Sequence, residues 1–281
     1  MTKRVIPINK FCPHEIMQRY YMWSYISPKG YPVHKLISNT ILIEEDSGEI
    51  ILKINQHGFR GDEIPEDKKL IFIWGDSCVF GALKKSWTDF IKIKNCFIVN
   101  AGIEGNHILS LRDHFLETIN KFQGRILCHY VYGSWHPLYR KFDKNMWMQV
   151  YNDLSTPDNL VILSTLPSPL RGLKYNEFRE LMMDKNPNNN YYFLSFLGEL
   201  NLTEDIYFLL QENLKKLDEL IFSICSTKDN AIFFDLAHYY ACEDITKWPE
   251  LFFDAIHPRD INYSTLAHYV EKGIKKCVDQ K

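Results

Sequence analysis

The stretch that decides the fold spans residues 70–77 and reads LIFIWGDS. Its first five residues are apolar without interruption, which is typical of a strand covered on both faces in a parallel sheet. Gly75 permits a tight turn where the strand ends, and Asp76 can accept backbone hydrogen bonds in that turn. Ser77 follows at the start of a predicted helix. We therefore expect its hydroxyl at the carboxyl edge of the sheet, where such folds bind ligands.

The rest of the chain repeats this pattern of short apolar runs and longer amphipathic stretches. Strands are predicted at residues 69–74, 96–100, 125–132, 159–165 and 231–235. Helical periodicity covers residues 107–122, 205–225 and 263–278. Strands that alternate with helices predict an α/β fold, with a parallel sheet wrapped on both sides and right-handed crossovers.

Two regions depart from the alternation. Residues 1–66 are expected to form an N-terminal extension packed on a main domain at 67–281. Within the extension, apolar runs at 40–43 and 50–53 flank a turn and predict a hairpin. Residues 166–204 are rich in Pro, Asn and Tyr and predict an insertion, either a lid or a plain surface excursion.

Composition excludes several classes of function. Thirty-three basic and 35 acidic residues give a formal net charge of -2, which offers no basic field for a nucleic acid. No window approaches the ~18 apolar residues that cross a bilayer, and the N-terminus has no apolar stretch of signal-peptide length. We therefore expect no membrane span and a cytoplasmic location. The sequence does not indicate an oligomeric state.

Cysteine and histidine spacing gives no sign of a cofactor. The seven cysteines are scattered without CxxC spacing, which favours reduced thiols over a disulfide framework or a zinc site. His107, His114, His129 and His136 do not fall at metal-ligand spacing with acidic partners. Neither a metal nor another cofactor is predicted, and Cys78, beside Ser77, is expected to pack rather than react.

A second chemical element lies just before the last predicted helix, where residues 252–258 read FFDAIHP. Its spacing lets the Asp254 carboxylate reach one imidazole nitrogen of His257 while the other points away. A serine hydroxyl is a poor nucleophile without an adjacent base. Ser77 and His257 are thus predicted as nucleophile and base, with Asp254 orienting the base. The alternative is that Asp254 and His257 only shape and pack a turn.

Taken together, these segments resemble the SGNH (GDSL-type) hydrolases, in separated blocks from Asn55 to the C-terminus. The blocks are residues 55–61 (NQHGFRG), 75–77 (GDS), 100–106 (NAGIEGN) and 254–258 (DAIHP). The resemblance implies a three-layer α/β/α sandwich around a five-stranded parallel sheet, of flavodoxin-like type. It also implies a Ser77, His257 and Asp254 triad and an oxyanion hole that includes the backbone N–H groups of Ser77 and Gly105.

One block of this resemblance is altered. The family has Gly-x-Asn-Asp, whose Asn side chain donates to the oxyanion, whereas residues 131–137 read VYGSWHP here. Trp135 takes the place of the Asn and can donate through its indole N–H, while Ser134 or His136 could substitute after a small loop shift. Loss of one oxyanion donor typically costs ~3 kcal/mol of transition-state stabilisation. The third donor is left open among Ser134, Trp135 and His136.

Three functions follow as hypotheses. The first is a serine esterase or deacylase that cleaves an O-acyl ester, acetyl esters among them, through an acyl-enzyme. The second is an O-acyltransferase that passes the acyl group to a hydroxyl of a glycan or small metabolite. The third is a non-catalytic binding protein on the same scaffold. The expected partner is a small-molecule or glycan ester, and the sequence does not name its acyl group.

Overall fold

The computed structural model describes residues 2–9, 12, 14–156, 158–184, 203–241, 247–252 and 256–279. The strands in these ranges are β1 (Arg4–Ile8), β2 (Met22–Ile26), β3 (Pro32–Leu36), β4 (Thr40–Glu44), β5 (Ile50–Ile54), β6 (Lys69–Gly75), β7 (Cys96–Gly102), β8 (Ile126–Gly133), β9 (Leu160–Ser164) and β10 (Ala231–Phe234). The helices are α1 (His14–Tyr21), α2 (Ser77–Phe80), α3 (Ile108–Ile119), α4 (Lys144–Leu154), α5 (Tyr175–Phe178), α6 (Glu204–Cys225), α7 (Leu236–Ala241), α8 (Trp248–Leu251) and α9 (Tyr263–Val278).

The core of the molecule is a five-stranded parallel sheet in the order β10-β9-β8-β6-β7. Strand β6, which lies between β8 and β7, is shielded on both faces, and residues 70–74 have no exposed surface. Helices flank the sheet, as in a three-layer α/β/α sandwich. All five strands lie where the sequence predicts them, with ends that differ by no more than two residues. The predicted fold class is confirmed.

The strand order places a crevice at the end of β6. The chain leaves β6 toward β7 on one side and then crosses to β8 on the other, so that β8 and β9 extend the sheet in the opposite direction. Such a reversal opens a crevice beyond the carboxyl ends of the strands. Gly75 and Gly133, which end β6 and β8, are paired in register there. Ser77, two residues after Gly75, lies at this crevice.

Two of the helices illustrate where sequence periodicity succeeds and where it does not. The predicted C-terminal helix at 263–278 matches α9, whose residues Leu266, Val270 and Ile274 are fully buried. Helix α4 was not among the predicted elements. It begins at a cap in which the Asp143 carboxylate accepts hydrogen bonds from the backbone N–H groups of Asn145 and Met146.

Residues before β6 form two small sheets. Strand β4 pairs antiparallel with β5, which confirms the predicted hairpin, and β1 joins β4 in parallel. Strands β2 and β3 form a separate antiparallel hairpin that the sequence pattern does not indicate. A second apolar cluster joins Tyr21, Leu42 and Leu52 to Phe80 and Ile103 of the main sheet region. The N-terminal segment therefore packs against the elements that carry the candidate site.

The predicted insertion at 166–204 is described only in part. Residues up to 184 include α5 and a π-helical turn at Arg179–Asp184. Residues 185–202, nearly half of this segment, lie outside the described residues, and both the lid and the plain surface excursion stay predictions. No helix within the described ranges is both long and apolar enough to cross a bilayer.

Candidate active site

Ser77 is the first residue of α2, directly after β6. Asp76 caps this short helix, since its carboxylate accepts the Cys78 N–H at 3.0 Å. Two glycines allow the helix to lie close on the sheet. A Cβ on Gly75 would meet the Val79 side chain at 2.3 Å, and a Cβ on Gly102 would meet the Phe80 backbone nitrogen at 2.3 Å. The position of Ser77 thus depends on two residues without side chains.

His257 lies beside Ser77 as the sequence predicts. Its Nε2 is 2.8 Å from the Ser77 Oγ, and both side chains are partly exposed. The turn that carries His257 is closed by an antiparallel bridge between Phe252 and Pro258 and by a 2.8 Å hydrogen bond from the Arg259 N–H to the Leu251 carbonyl. Each of these two contacts joins a residue before His257 to a residue after it.

Asp254 lies outside the described residues. Its role as the carboxylate that orients His257 therefore stays a prediction from the spacing of the two residues. Cys78, in contrast, is described and buried, with its Sγ 3.4 Å from the Ile256 carbonyl oxygen. Its thiol packs against the turn that carries His257, as expected of a packing residue.

Asp76 also ties the nucleophile turn to the loop after β8. Its second carboxylate oxygen accepts the Trp135 N–H at 2.9 Å. Burial raises the pKa of Asp76, and the hydrogen bonds from the Trp135 and Cys78 backbone oppose that rise. A buried carboxylate that accepts two backbone N–H groups holds the two loops together. The sequence predicts its contact within the turn but not its contact with Trp135.

Two backbone N–H groups are candidates for an oxyanion hole. Gly105 occupies a turn with φ +67°, closed by a hydrogen bond from Asn106 N–H to the Ile103 carbonyl at 3.2 Å. Such a φ favours glycine. Neither the Gly105 N–H nor the Ser77 N–H donates to an acceptor within the described part of the chain. Both therefore remain available for a ligand oxygen.

The three side chains predicted as a further donor differ in their surroundings. Ser134 Oγ is buried and donates to the Asn106 carbonyl at 2.6 Å, so it shapes the loop. The Trp135 indole nitrogen is buried without a hydrogen-bond partner in the described residues, which closes it off from the crevice. His136 is partly exposed, with its Nδ1 3.2 Å from the Tyr139 hydroxyl.

The electrostatic surroundings keep His136 neutral. Burial, together with the nearby His34, Arg140 and His257, lowers the pKa of His136 to about 4. An imidazole with such a pKa is uncharged at neutral pH and carries one N–H donor. His136 also lies within electrostatic reach of His257 and of His34, which comes from the N-terminal hairpin.

Solved structures resemble this chain in fold. One, described as a lipolytic protein of the G-D-S-L family, is from Desulfitobacterium hafniense, with 15% identity, a TM-score of 0.50, and coverage of 73% of this chain and 99% of that one. The chain has the fold of the G-D-S-L hydrolases. No protein-family model and no curated protein matches the sequence.

Two further solved structures have lower TM-scores. One is a member of the lipolytic G-D-S-L family from Veillonella parvula, with 13% identity, a TM-score of 0.46, and coverage of 74% of this chain and 99% of that one. The other is a catalytic mutant of an acetylxylan esterase from Geobacillus stearothermophilus, with 14% identity, a TM-score of 0.47, and coverage of 77% and 96%.

The G-D-S-L fold here carries two residues near the site that the sequence does not single out. Asn100, at the end of β7, donates from Nδ2 to the Val79 carbonyl at 2.9 Å and to the hydroxyls of Ser86 and Thr88 at 3.0 Å. It thereby fixes the end of α2. Its place in the segment 100–106, at a predicted strand end, is the sequence feature that could have indicated this role.

The second such residue is His34 on β3. Its Nε2 lies 3.4 Å from where a Cβ of Gly105 would be, and its Nδ1 is 2.8 Å from the Ser24 Oγ. No local pattern around His34 indicates this, because the contact joins segments about 70 positions apart.

Proposed function

We propose that this protein is a serine esterase or deacylase that cleaves an O-acyl ester. The observation that carries the proposal is the 2.8 Å contact between Ser77 Oγ and His257 Nε2 at the carboxyl edge of a parallel sheet. A base within hydrogen-bond reach is what converts a serine hydroxyl into a nucleophile. The G-D-S-L fold supports the same class of chemistry.

The first half of the reaction forms an acyl-enzyme. Ser77 Oγ attacks the ester carbonyl carbon while its proton passes to His257 Nε2. The carbonyl oxygen becomes an oxyanion that accepts hydrogen bonds from the N–H groups of Ser77 and Gly105. When the tetrahedral intermediate collapses, the bond to the alcohol oxygen breaks, and His257 returns the proton to that leaving oxygen.

The second half releases the acid. Water attacks the acyl-enzyme carbonyl, His257 takes the proton from the water, and Ser77 leaves with that proton. In this proposal the Asp254 carboxylate accepts a hydrogen bond from His257 Nδ1 and stabilises the imidazolium in both halves. The two half-reactions need no cofactor, because the nucleophile, the base and the donors come from the chain.

The test combines turnover with covalent labelling. We expect the protein to hydrolyse p-nitrophenyl acetate and to react with a fluorophosphonate, with the adduct located on Ser77 by peptide mass spectrometry. Ser77→Ala should abolish both. Ser47→Ala is the matched control, since Ser47 is exposed in a hairpin turn, where its hydroxyl donates to the Glu44 carboxylate and accepts from the Glu49 N–H of the same turn. Hydrolysis retained in Ser77→Ala would rule out this assignment.

The acyltransferase alternative differs only in what attacks the acyl-enzyme. It is favoured by the N-terminal hairpin, whose residue His34 lies against Gly105 and so next to the proposed acyl site. Incubation with an acyl donor and sugar or polyol acceptors, followed by mass spectrometry, separates the two. An acylated acceptor formed faster than free acid would support transfer. Turnover that depends on Ser77 would exclude the non-catalytic alternative.

A further inference from the structure

We propose that His34 is the third oxyanion donor, and that its Nε2–H binds the same substrate oxygen as the N–H groups of Ser77 and Gly105. This inference rests on the proposed function. It assigns a catalytic contact to the N-terminal hairpin, a segment outside the α/β sheet. It also supplies a donor that the altered loop at 133–136 does not clearly provide.

The distance between His34 and Gly105 suits a shared acceptor. His34 Nε2 lies 3.4 Å from the Cβ position of Gly105, and that position is about 2.5 Å from the Gly105 nitrogen by standard backbone geometry. The two nitrogens are therefore no more than about 6 Å apart. Two donors that each reach one oxygen at about 2.9 Å can be separated by up to about 6 Å.

The hairpin that carries His34 is held against this same turn. The Tyr21 hydroxyl, at the start of the hairpin, donates to the Glu104 carboxylate at 2.8 Å. On the far side, the Tyr31 hydroxyl donates to Asp113 of α3, and Lys35 pairs with Glu117 at 3.2 Å. Because the contacts flank His34 on both sides, its ring is positioned relative to Gly105 before a substrate binds.

The proposal requires the Nε2–H tautomer of His34, and the partner of His34 on the neighbouring strand is compatible with it. Ser24 and His34 are paired across the hairpin, with Ser24 Oγ 2.8 Å from Nδ1. If the Ser24 hydroxyl donates to Nδ1, the single proton of the neutral ring resides on Nε2. Burial lowers the pKa of His34, and the charge of Glu104 offsets this only in part. A neutral ring with Nε2–H is therefore the form we assign.

Accessibility separates His34 from two other polar groups near the loop. The Trp135 indole nitrogen and the Asn106 side-chain amide are buried, with no hydrogen-bond partner in the described residues. Neither reaches a bound substrate without rearrangement. The His34 side chain is partly exposed and lies near His136, which in turn lies near His257. Of these three groups, only His34 has exposed surface with which to bind a substrate oxygen.

The proposed role requires no proton transfer from His34. A neutral imidazole N–H stabilises developing negative charge on oxygen without the desolvation cost of a buried cation. The hydrogen bond strengthens as the carbonyl oxygen becomes anionic, so it acts on the transition state more than on substrate binding. The signature is therefore a lower kcat with little change in KM.

The experiment compares three substitutions at position 34. His34→Ala removes the ring, His34→Phe keeps a ring without an N–H, and His34→Gln offers an amide donor. We expect kcat for p-nitrophenyl acetate to fall about 100-fold in His34→Ala and His34→Phe, with KM changed less than about threefold. His34→Gln should recover about 10-fold or more of that loss. Lys29→Ala, at an exposed position in the turn of the same hairpin, is the control, and its kcat should equal that of wild type.

A second measurement covers variants that fold poorly. In 15N-labelled wild type, the His34 Nε2–H proton resonance should move downfield when fluorophosphonate modifies Ser77, because the phosphonyl oxygen occupies the oxyanion position. Full kcat in His34→Ala and His34→Phe, or an unmoved resonance in the adduct, would overturn the His34 assignment alone. Wild-type protein that neither turns over esters nor is labelled at Ser77 would overturn both this assignment and the proposed function.

Discussion

Asp76 performs two structural tasks that place Ser77. One carboxylate oxygen caps α2 at the Cys78 N–H, and the other holds the Trp135 N–H of a loop 59 positions away. Asp143 also caps a helix, but its carboxylate contacts only the first turn of that helix, α4. The two residues are chemically identical, and only one of them connects distant segments.

This difference leads to a prediction at the level of the residue. In Asp76→Asn the amide has one acceptor oxygen, so one of the two backbone N–H groups loses its partner. We expect a loss of about 1–3 kcal/mol in the free energy of unfolding, measured by urea denaturation, with a lower kcat. Asp143→Asn should change stability by less than about 0.5 kcal/mol, because Asn caps helices as well as Asp. Equal effects in the two variants would contradict the linking role of Asp76.

At the level of elements, α2 is held on the sheet from both ends. Its start rests on Gly75 and its body on Gly102, where no side chain intervenes. Its end is held by Asn100, whose amide donates to the Val79 carbonyl. Because the helix has only four residues, it lacks enough internal hydrogen bonds to be stable alone. The position of Ser77 is therefore set by the sheet beneath it.

Gly102→Ala tests this dependence. The new Cβ would lie 2.3 Å from the Phe80 nitrogen and 2.7 Å from the Val79 carbonyl carbon, both backbone atoms, so α2 has to move. We expect a stability loss of about 1–3 kcal/mol and a fall in kcat of about 100-fold, the effect of a displacement of about 1 Å.

Gly273→Ala is the matched control. Its Cβ would meet the Phe234 ring at 2.6 Å, which is a side-chain clash remote from α2. Stability should fall while kcat per folded molecule stays within about twofold of wild type. Loss of activity in Gly102→Ala no larger than in Gly273→Ala would show that α2 does not depend on the close approach.

At the level of the whole molecule, the N-terminal segment encloses Phe80 of α2. Tyr21 stacks on the Phe80 ring with centroids 5.8 Å apart, and the Arg60 guanidinium lies 4.9 Å from the same ring centroid. We propose that residues 1–66 form an extension that stabilises the nucleophile helix, packed on a domain at 67–281. The stack and the cation–π contact support this interpretation.

The core also makes stability depend on pH. His129 on β8 has no exposed surface, and its Nδ1 accepts the Trp74 indole N–H at 3.1 Å. Burial lowers the pKa of His129 to about 3. In the unfolded chain the pKa is about 6.5, so below that pH the unfolded state binds a proton that the folded state does not. The stability contributed by the neutral ring is therefore present above pH ~6.5 and is lost as the pH falls toward ~3.

We expect the free energy of unfolding to fall by about 1.4 kcal/mol per pH unit from this residue between pH ~6 and pH ~4. His129→Gln should reduce the slope by that amount in urea titrations at a series of pH values. Trp74→Phe is the control, because it removes the hydrogen bond without removing the titrating group. It should lower stability at every pH and leave the slope unchanged. A His129→Gln slope equal to that of wild type would contradict the assignment.

The sequence by itself determined the sheet and pointed to Ser77 and His257 as a pair. Strand β6 is recognisable because five consecutive apolar residues require burial on both faces, and Ser77 and His257 are recognisable because each follows or precedes a regular element in a short motif. Their approach to 2.8 Å agrees with that interpretation. Signals of this kind are local, so they can be recognised without knowledge of the rest of the chain.

Only the tertiary structure decided what surrounds the nucleophile. Two contacts join segments that are more than 20 positions apart: the link from Asp76 to Trp135 and the contact of His34 with Gly105. The burial of the Trp135 indole depends on how the loops pack. Side-chain hydrogen bonds across such separations leave no periodicity in the sequence. They depend on which strand ends lie together at the crevice, and the order of the strands in the sheet determines this arrangement.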